Sequence, residues 1–361
     1  MRIGIVGLPR SGKTTLLGAL TGFSAADAGY AREANRATVP VPEPRLDRLF
    51  EIFKPAKKTP ATIEFLDLPG IERTRPGTKS DAAQVLAAVR QVDCLLLVVR
   101  AFDRADAPHP AGSVDPERDL AELRTELTVA DLEVLQGRLE KIATRLKKPV
   151  AAEREELEAE KPVLEEIVRR LESGTPLADL AVAETVEKRI KSYGLLRRKP
   201  EVVVVNLQDS EIPSAGRHEA AGGADETPRI ALSAEAEREI LRLEPADRPV
   251  FLAEFKLERL SIDRVVRACY TACGYISFFT GGGPDEVRAW TLRQGATAVD
   301  AAAAIHTDLA VGFIRGEVVS FADLDRCGDI KAAKAHGVWR LEGKEYRVAD
   351  GDVITIRFSK G

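Results

Sequence analysis

Short apolar runs alternate with amphipathic segments over the first hundred residues. Residues 2–6, 61–66 and 94–100 are short and largely apolar, as buried strands are, whereas residues 13–21 and 80–91 carry apolar side chains at helical spacing. Strands that alternate with helices across short connections form a parallel, doubly wound sheet. The opening pattern therefore predicts an α/β fold.

The pattern changes in the middle of the chain, where no strand-like run interrupts residues 120–148, 151–173 and 177–193. All three segments are rich in charge and have helical periodicity. In the second, leucines recur every seven residues, at Leu157, Leu164 and Leu171. A seven-residue apolar repeat flanked by charges is typical of coiled coils, so we expect an antiparallel helical hairpin that projects from the sheet.

Two further apolar runs, at residues 201–206 and 230–233, continue the sheet, and helices fill most of residues 234–272. From about Ser277 a small β-rich module follows, in which short strands surround one helix at residues 298–309. Its predicted strands are residues 287–292, 313–319, 346–348 and 353–358. We therefore predict a sheet domain in two parts, residues 1–124 and 200–276. A helical hairpin, residues 125–199, is inserted between these parts, and a C-terminal module covers residues 277–361.

The composition is that of an ordinary soluble protein, slightly rich in charge. Of 361 residues, 44% are hydrophobic and 30% are charged, which provides enough apolar material for two or three cores. The net charge of −4 gives no basic field over the whole chain, so we expect no DNA partner and require a local patch for any RNA contact. No apolar run approaches the ~18 residues of a membrane span, and four scattered cysteines suit a reducing compartment. The expectation is a cytoplasmic protein without membrane contact.

One eight-residue segment, beginning at Gly7, matches the phosphate-binding motif G-x-x-x-x-G-K-[ST] at every fixed position. Its glycines let successive backbone N–H groups point at phosphates, and the following helix adds the positive end of its dipole. Lys13 would place a charge near the β- and γ-phosphates, and the Thr14 hydroxyl would coordinate Mg2+. The variable Arg10 could touch phosphate or be solvated. The predicted phosphate-binding residues are Leu8, Pro9, Arg10, Ser11, Gly12, Lys13, Thr14 and Thr15.

A second Mg2+-holding carboxylate is expected where the strand at residues 61–66 ends. In the D-x-x-G motif from Asp67 to Gly70, Asp67 is predicted to hold the ion through a water molecule, and the Gly70 N–H is predicted to approach the γ-phosphate. The alternative is an ordinary turn that ends the strand. Ile71 follows where Ras-type enzymes use a glutamine to orient the attacking water. Either another group orients this water, or turnover is slow and depends on a partner.

The base-binding region is predicted just after residues 201–206. Asn206 and Asp209 keep the ends of the guanine-reading motif N-K-x-D, but Leu207 replaces the lysine, so the platform over the base is lost while the Asp209 carboxylate remains. Asn206 could instead only cap the end of its strand. After the next strand, a backbone N–H would meet the base near Ser233, Ala234 and Glu235. These residues leave the choice between ATP and GTP open.

Together with motifs outside this site, these residues resemble the YchF/Obg-like ATPase family, within the translation-factor-related P-loop GTPases. The most specific motifs lie in the C-terminal module and include Phe279-Thr280-Gly281-Gly282, Glu286-Val287-Arg288-Ala289-Trp290 and Gly312-Phe313-Ile314-Arg315. The resemblance covers nearly the whole chain. It implies a nucleotide domain, a helical-hairpin insertion and a TGS domain, which is a ubiquitin-like β-grasp linked to RNA and ribosome contacts.

The resemblance also implies Mg2+-dependent hydrolysis of ATP in preference to GTP and association with ribosomes, although Asp209 stands where the family usually has Glu. A family histidine implicated in hydrolysis matches His109, whose imidazole could orient water; a histidine in a surface loop is the alternative. The family's Mg2+-binding threonine of the first switch is matched by about Ala31, and the nearby Thr38 is expected in the following strand.

Three other functions stay open. The first is a GTPase of the same architecture, which Asp209 favours. The second is a nucleotide-responsive module that binds ribosomes or RNA with little turnover, which Ile71 and the absent switch threonine favour. The third is an adaptor that binds partners through its helical hairpin and does not need nucleotide.

Overall fold

A computed structural model of the chain describes residues 1–22, 35–70, 79–147, 151–177, 179–219 and 227–359. The chain divides into two compact units, Met1–Ala37 with Phe65–Ile262 and Thr38–Glu64 with Asp263–Gly361. The second unit thus takes in residues 38–64 besides the C-terminal residues, and the four segments predicted from the sequence stay a prediction. None of the helices in the described ranges is long and apolar enough to cross a lipid bilayer.

The strands within these ranges form two six-stranded sheets. They are β1 (Arg2–Val6), β2 (Asn35–Pro40), β3 (Lys57–Thr59), β4 (Thr62–Asp67), β5 (Cys94–Ala101), β6 (Glu201–Leu207), β7 (Arg229–Leu232), β8 (Tyr275–Thr280), β9 (Glu286–Arg293), β10 (Phe313–Ser320), β11 (Arg340–Glu342) and β12 (Asp352–Phe358). The first sheet has the order β2-β4-β1-β5-β6-β7, and β1, β5, β6 and β7 pair in parallel. This arrangement confirms the predicted doubly wound α/β fold.

The helices connect these strands. They are α1 (Lys13–Thr21), α2 (Pro44–Phe53), α3 (Lys79–Arg90), α4 (Pro116–Leu146), α5 (Ala151–Ser173), α6 (Glu184–Ser192), α7 (Ala234–Arg242), α8 (Arg248–Glu254), α9 (Ile262–Ala272), α10 (Ala298–Ile305), α11 (Thr307–Val311), α12 (Phe321–Cys327) and α13 (Ile330–Ala335). The bounds of α1 and α5 are those predicted. Both had clear sequence signals, because Gly22 ends α1 in the left-handed conformation and the seven-residue repeat runs through α5.

The central strand β5 separates two packing layers. Alternate residues from Leu95 to Val99 pack with Leu120 and Leu127 of α4. Because successive side chains of a strand point to opposite faces, Arg100 lies on the other face. Asn206, its register partner in β6, reaches the β1–α1 loop on that face. The end of β5 is therefore next to the phosphate-binding loop.

The middle of the chain forms the predicted helical hairpin, in which α4 packs against α5. Its core holds the predicted heptad leucines together with apolar residues of α4: Leu135, Ile142, Leu157, Leu164 and Leu171. The helical prediction for residues 177–193 was wrong in its first half, since α6 covers only Glu184–Ser192. Gly174, in a left-handed conformation, and Pro176 end α5, and Leu177 packs into the hairpin core outside any helix.

A buried carboxylate lies inside this hairpin. Glu160 of α5 is 0% exposed and accepts two hydrogen bonds from the Arg138 guanidinium of α4, at 2.8 and 2.7 Å. It also accepts a hydrogen bond from the Tyr193 hydroxyl. Burial raises the pKa of Glu160, but the bonds from Arg138 and Tyr193 outweigh burial and hold this pKa below its usual value. The charge therefore has partners that fix how α4, α5 and the segment after α6 meet.

We expect Glu160→Ala to destabilise the protein by about 3–5 kcal/mol, because it leaves the Arg138 guanidinium partly buried without its carboxylate. Urea unfolding followed by circular dichroism would measure the change. Glu165→Ala is the matched control, since Glu165 is half-exposed and its one ion pair in the described part of the chain is with Lys161 on the same helix; we expect it to cost less than ~0.5 kcal/mol. Equal effects of the two substitutions would contradict the prediction.

The second sheet has the order β11-β10-β12-β8-β9-β3. β8 and β9 form an antiparallel hairpin, and β12 lies between β8, to which it is parallel, and β10, to which it is antiparallel. A final strand that inserts parallel to the first strand of the module is the β-grasp arrangement, and β3 extends its edge. The β-rich module of the sequence prediction is thus a β-grasp.

Two details of this module differ from the prediction. The helix predicted at residues 298–309 is interrupted at His306, whose extended backbone separates α10 from α11. The predicted strand at residues 346–348 is absent, because Arg347 makes only one isolated bridge, to Thr297, and no neighbouring strand continues the pairing. Local periodicity does not reveal either interruption.

Candidate nucleotide and magnesium site

The loop between β1 and α1 has the backbone that a phosphate cradle needs. A Cβ on Gly7 would lie 2.4 Å from the Val98 carbonyl oxygen, so the loop can pass close to β5 only because this residue is glycine. Gly12 has φ +93°, and a Cβ there would lie 2.1 Å from the Asn206 amide nitrogen. Both fixed glycines of the motif are therefore required by close approach, and Gly12 also by its left-handed conformation.

The ammonium group of Lys13 is enclosed by the loop. Lys13 is 8% exposed, and its Nζ donates to the carbonyl oxygens of Gly7 at 3.2 Å and Leu8 at 3.0 Å. Burial lowers the pKa of Lys13 to about 8, although the nearby Asp67 carboxylate opposes the shift. A cation that is buried with two neutral acceptors is poised to gain from an anionic ligand.

Thr14 and Asp67 meet although 53 residues separate them in the sequence. The Thr14 hydroxyl donates to Asp67 Oδ2 at 2.6 Å, and Asp67 Oδ1 is buried without a hydrogen-bond partner in the described part of the chain. Burial raises the pKa of Asp67, while the bond from Thr14 and the charge of Lys13 lower it. One hydroxyl and one carboxylate with a free oxygen are hard donors that suit Mg2+.

Few protein ligands are needed for that ion. Within the described ranges, no group of three or more His, Cys, Asp or Glu side chains could hold a metal. Mg2+ in nucleotide sites usually binds one or two protein groups and completes its octahedron with water and phosphate oxygens. The Thr14–Asp67 pair therefore fits the ion as part of a metal–nucleotide complex.

The D-x-x-G segment packs directly on the cradle. A Cβ on Gly70 would lie 2.9 Å from the backbone nitrogen of Pro9, so this close approach requires glycine. The structure therefore places Gly70 beside the predicted phosphate-binding residues. Ile71 and Ala31 lie outside the described residues, and Thr38 is in β2, as expected.

Asn206 connects the cradle to the loop after β7. Its side-chain amide donates to the Ser11 carbonyl at 3.0 Å and accepts from the Ala234 backbone N–H at 3.0 Å. The residue is 4% exposed, so both contacts are shielded from water. Asn206 thus connects the β1–α1 loop to the start of α7, whereas the Leu207 side chain is buried in the core on the other face of the sheet.

The remaining predicted base-site residues come together around the start of α7. The Ser233 hydroxyl donates to the Asp209 carboxylate and accepts from the Ala236 N–H, and so caps the helix. Asp209 is exposed, whereas Ser233 and Ala234 are buried. Glu235 forms an ion pair with Arg238, one turn along α7. The Asp209 carboxylate therefore stays accessible to a base.

His109 is buried, in contrast to a histidine in a surface loop. Its Nδ1 accepts from the Ala111 N–H at 3.1 Å, and its Nε2 is 2.7 Å from Asp119 Oδ2. Because Nδ1 is an acceptor, the proton lies on Nε2 and is donated to Asp119. Arg10 of the cradle reaches toward the Pro108 carbonyl beside it, at 3.5 Å. With both ring nitrogens engaged, His109 must change its rotamer before it can bind water.

Sequence reasoning missed three residues of this region: Arg100, Phe102 and Asp119. Asp119, in the first turn of α4, holds His109 and also accepts from Arg118 at 2.8 Å. Arg100 is the penultimate residue of β5, whose first seven residues are buried, and Phe102 follows this strand directly. An arginine at the end of an otherwise apolar strand was a signal in the sequence, but its surroundings were not.

Two family models match the chain. One, named YchF-GTPase_C and described as a protein of unknown function, matches residues 275–359. The other is described as 50S ribosome-binding GTPase and matches residues 2–136, which include the cradle and the D-x-x-G segment.

Full-length relatives extend the similarity to the whole chain. The ribosome-binding ATPase YchF of Haemophilus influenzae is 37% identical over 364 residues, which cover 99% of each protein, and that of Bacillus subtilis is 36% identical over 99% of this chain and 98% of its own. Obg-like ATPase 1 of Oryza sativa is 31% identical over 99% of this chain and 92% of its own. The structure of the Schizosaccharomyces pombe YchF GTPase superimposes with a TM-score of 0.83 at 28% identity, covering 99% of this chain and 97% of that one.

Proposed function

Because this chain belongs to the YchF family of P-loop nucleoside triphosphatases, we propose that it is a Mg2+-dependent nucleoside triphosphatase that prefers ATP to GTP and serves as a ribosome-associated regulatory switch in the cytoplasm. Its full-length relatives are named ribosome-binding ATPases, and these names support both the hydrolase activity and the association with ribosomes. The preference for ATP and the dependence on Mg2+ are the finer parts of the proposal.

The observation that carries the proposal is the convergence of Lys13, Thr14 and Asp67. A buried ammonium group, a hydroxyl and a carboxylate with a free oxygen lie around one glycine-bounded loop. Neutral or cationic ligands would not use this set. A triphosphate with a divalent cation satisfies all three groups at once.

The chain's residues would act by position and charge. The Lys13 ammonium leaves the Gly7 and Leu8 carbonyls for phosphate oxygens, while backbone N–H groups of the cradle hold the β-phosphate. Thr14 and Asp67 would hold Mg2+, which neutralises charge on the β- and γ-phosphates when bound. Water would attack the γ-phosphorus and lose a proton as the bond to the bridging β–γ oxygen breaks, and the nucleoside diphosphate, inorganic phosphate and the proton would then leave.

A switch requires that the site be connected to the rest of the molecule, and Arg90 supports such a connection. It ends α3, the helix that follows the D-x-x-G segment, and donates to Asp131 Oδ1 at 2.8 Å and to the Gly194 carbonyl at 3.1 Å. Asp131 also accepts from the backbone N–H groups of Leu196 and Arg197. The end of α3 is thus bound both to α4 and to the segment after α6, which are the two ends of the helical hairpin. A shift of α3 would therefore move the base of the hairpin.

The test is a titration of the purified protein with ATP, ADP, GTP and GDP, each with and without Mg2+, followed by measurement of phosphate release with and without ribosomes. We expect ATP to bind more tightly than GTP, Mg2+ to be required, and ribosomes to raise the rate. The GTPase alternative, which the accessible Asp209 carboxylate favours, predicts tighter binding of GTP. A negligible rate that ribosomes leave unchanged would instead support a binding module with little turnover, which the engaged state of His109 favours.

For His109, we expect substitution by Ala to lower the rate of hydrolysis roughly 100-fold and to leave nucleotide affinity unchanged, because general acid–base groups contribute about 10²–10⁴-fold to rate and act on the attacking water. Single-turnover phosphate release and calorimetric titration would measure the two quantities. His306→Ala is the control, since the His306 side chain is exposed and belongs to the other compact unit. If His109→Ala lowered the melting temperature without changing the rate, the histidine would have only a structural role.

A further inference from the structure

Arg100 is a buried cation beside the cradle that the proposed mechanism does not use. It is the penultimate residue of β5 and is 1% exposed. Its register partner is Asn206, whose amide binds the Ser11 carbonyl of the cradle. The two residues lie on the same face of the sheet, because they are paired in neighbouring parallel strands.

The guanidinium group is fixed in place but mostly unsatisfied. Its Nε donates to the Phe102 carbonyl at 2.9 Å, and its central carbon lies 4.6 Å from the centre of the Phe102 ring. Both terminal nitrogens are buried and have no hydrogen-bond partner within the described ranges. An arginine has five N–H donors, so four of them lack an acceptor. Such a group is costly to bury, which suggests that a ligand supplies the acceptors.

Neighbouring charges do not account for this burial. Burial lowers the pKa of Arg100; the charge of Asp103 opposes the shift, and that of Arg10 adds to it. None of these groups forms a hydrogen bond with the terminal nitrogens. Among the described residues, Arg100 therefore lacks a paired carboxylate, whereas even the partly buried Arg138 has one in Glu160.

The position of Arg100 points to the nucleoside end of the ligand. Its stacking partner Phe102 would lie 3.9 Å from a Cβ on Gly12, so the pair borders the cradle on the side of Asn206. This is the side where N-K-x-D proteins place a lysine directly after the asparagine. Here that position is Leu207, whose side chain is buried in the core on the opposite face. The lysine of the N-K-x-D motif is thus absent from β6, whereas a different cation, Arg100, lies on the adjacent strand β5.

We propose that Arg100, stacked on Phe102, takes the place of the lost lysine and donates hydrogen bonds to acceptor atoms of the purine or ribose of the bound nucleotide. This inference rests on the proposed nucleotide-binding function and adds a positioning residue to it. The purine and ribose provide ring nitrogens and oxygens that can accept from a guanidinium group. Binding of the nucleotide would then give acceptors to N–H donors that are unpaired in the free protein, so part of the affinity comes from a contact that the free protein lacks.

The test compares Arg100→Met with the matched control Arg104→Met, in full-length protein with Mg2+. Arg104 is exposed and, within the described ranges, forms an ion pair only with the exposed Asp106, at 2.8 Å. Calorimetric titration with ATP and with inorganic tripolyphosphate separates contacts to the nucleoside from contacts to phosphate. We expect Arg100→Met to weaken ATP about 10- to 100-fold, since hydrogen bonds from charged groups contribute about 1.5–3 kcal/mol. We expect its tripolyphosphate affinity, and both affinities of the control, to stay unchanged.

Thermal unfolding of the free protein provides a second readout. Because Met removes an unpaired buried charge, we expect the melting temperature of Arg100→Met to equal or exceed that of the wild type, whereas loss of a structural arginine would lower it. Arg100→Lys keeps a cationic donor and should recover part of the ATP affinity.

Several results would overturn the inference. They are unchanged ATP affinity in Arg100→Met, an equal loss of tripolyphosphate affinity, or a lowered melting temperature with no recovery in Arg100→Lys. Failure of the wild type to bind any purine nucleotide would instead contradict the proposed function itself.

Discussion

Replacing Lys13 by Met is expected to reduce nucleotide affinity and hydrolysis by about 10²–10³-fold, while the free protein keeps its stability. This reduction is typical when an enzyme loses one preorganised hydrogen-bond donor that stabilises charge on the reacting group. In the free protein the ammonium is buried against two carbonyl oxygens, so removal of two hydrogen bonds is offset by relief of a buried charge. We expect the free energy of unfolding to change by less than ~1 kcal/mol. Calorimetric titration and urea unfolding would measure both effects, and intact affinity would contradict the assignment of the cradle.

The same lysine gives the affinity a pH dependence of definite sign. Its pKa in the free protein is about 8, below the ordinary value, because burial disfavours the charged form. The charged form binds phosphate, so the bound state has the higher pKa and binding takes up a proton as the pH rises above 8. Affinity should therefore fall as the pH rises from 8 toward 10, and this fall should be absent in Lys13→Met. Titrations in two buffers of different ionisation enthalpy would detect the proton uptake.

Asp67→Asn is expected to lower Mg2+-dependent hydrolysis about 10–100-fold and to raise the Mg2+ concentration needed for half-maximal rate. This magnitude applies to groups that hold a metal through water, as we propose for Asp67. Asn keeps an oxygen that can accept from the Thr14 hydroxyl, so the loop geometry should survive and the loss should come from the missing charge. Asp106→Asn is the control, because Asp106 is exposed and pairs with Arg104. Similar Mg2+ dependence in Asp67→Asn and the wild type would exclude the proposed role.

Lys13 and Asp67 matter together because the hydrogen bonding of each is incomplete in the free protein. Among the described residues, Lys13 donates only to carbonyl oxygens, and Asp67 has one buried oxygen without a donor. Arg100 follows the same pattern on the nucleoside side. Binding sites commonly keep such unsatisfied groups at a cost in stability, because the ligand then satisfies several of them at once.

The sequence determined those parts of the protein whose signals are local. The cradle is one continuous segment with fixed spacing, so phosphate-binding roles for its glycines, Lys13 and Thr14 could be predicted without the fold. The strand–helix alternation identified the α/β sheet, and the leucines of α5 identified the hairpin, because both follow from the periods of the two structures. Asp67 was predicted from its place at the end of a strand, and the structure brings it to Thr14.

Only the tertiary structure decided which distant residues meet and which stay without a partner. Packing buries His109, which lies in a loop, against Asp119 of α4, and residues 38–64 join the C-terminal unit although about two hundred residues separate the two segments in the chain. Arg100 belongs to no motif; its proposed role comes from β6 beside it, from the ring of Phe102, and from two terminal nitrogens that have no acceptor among the described residues. A sequence records the donors that a side chain offers. Whether an acceptor lies within 3 Å is set by the packing of elements far apart in the chain, and the unsatisfied groups that bind a ligand appear only after those elements are in place.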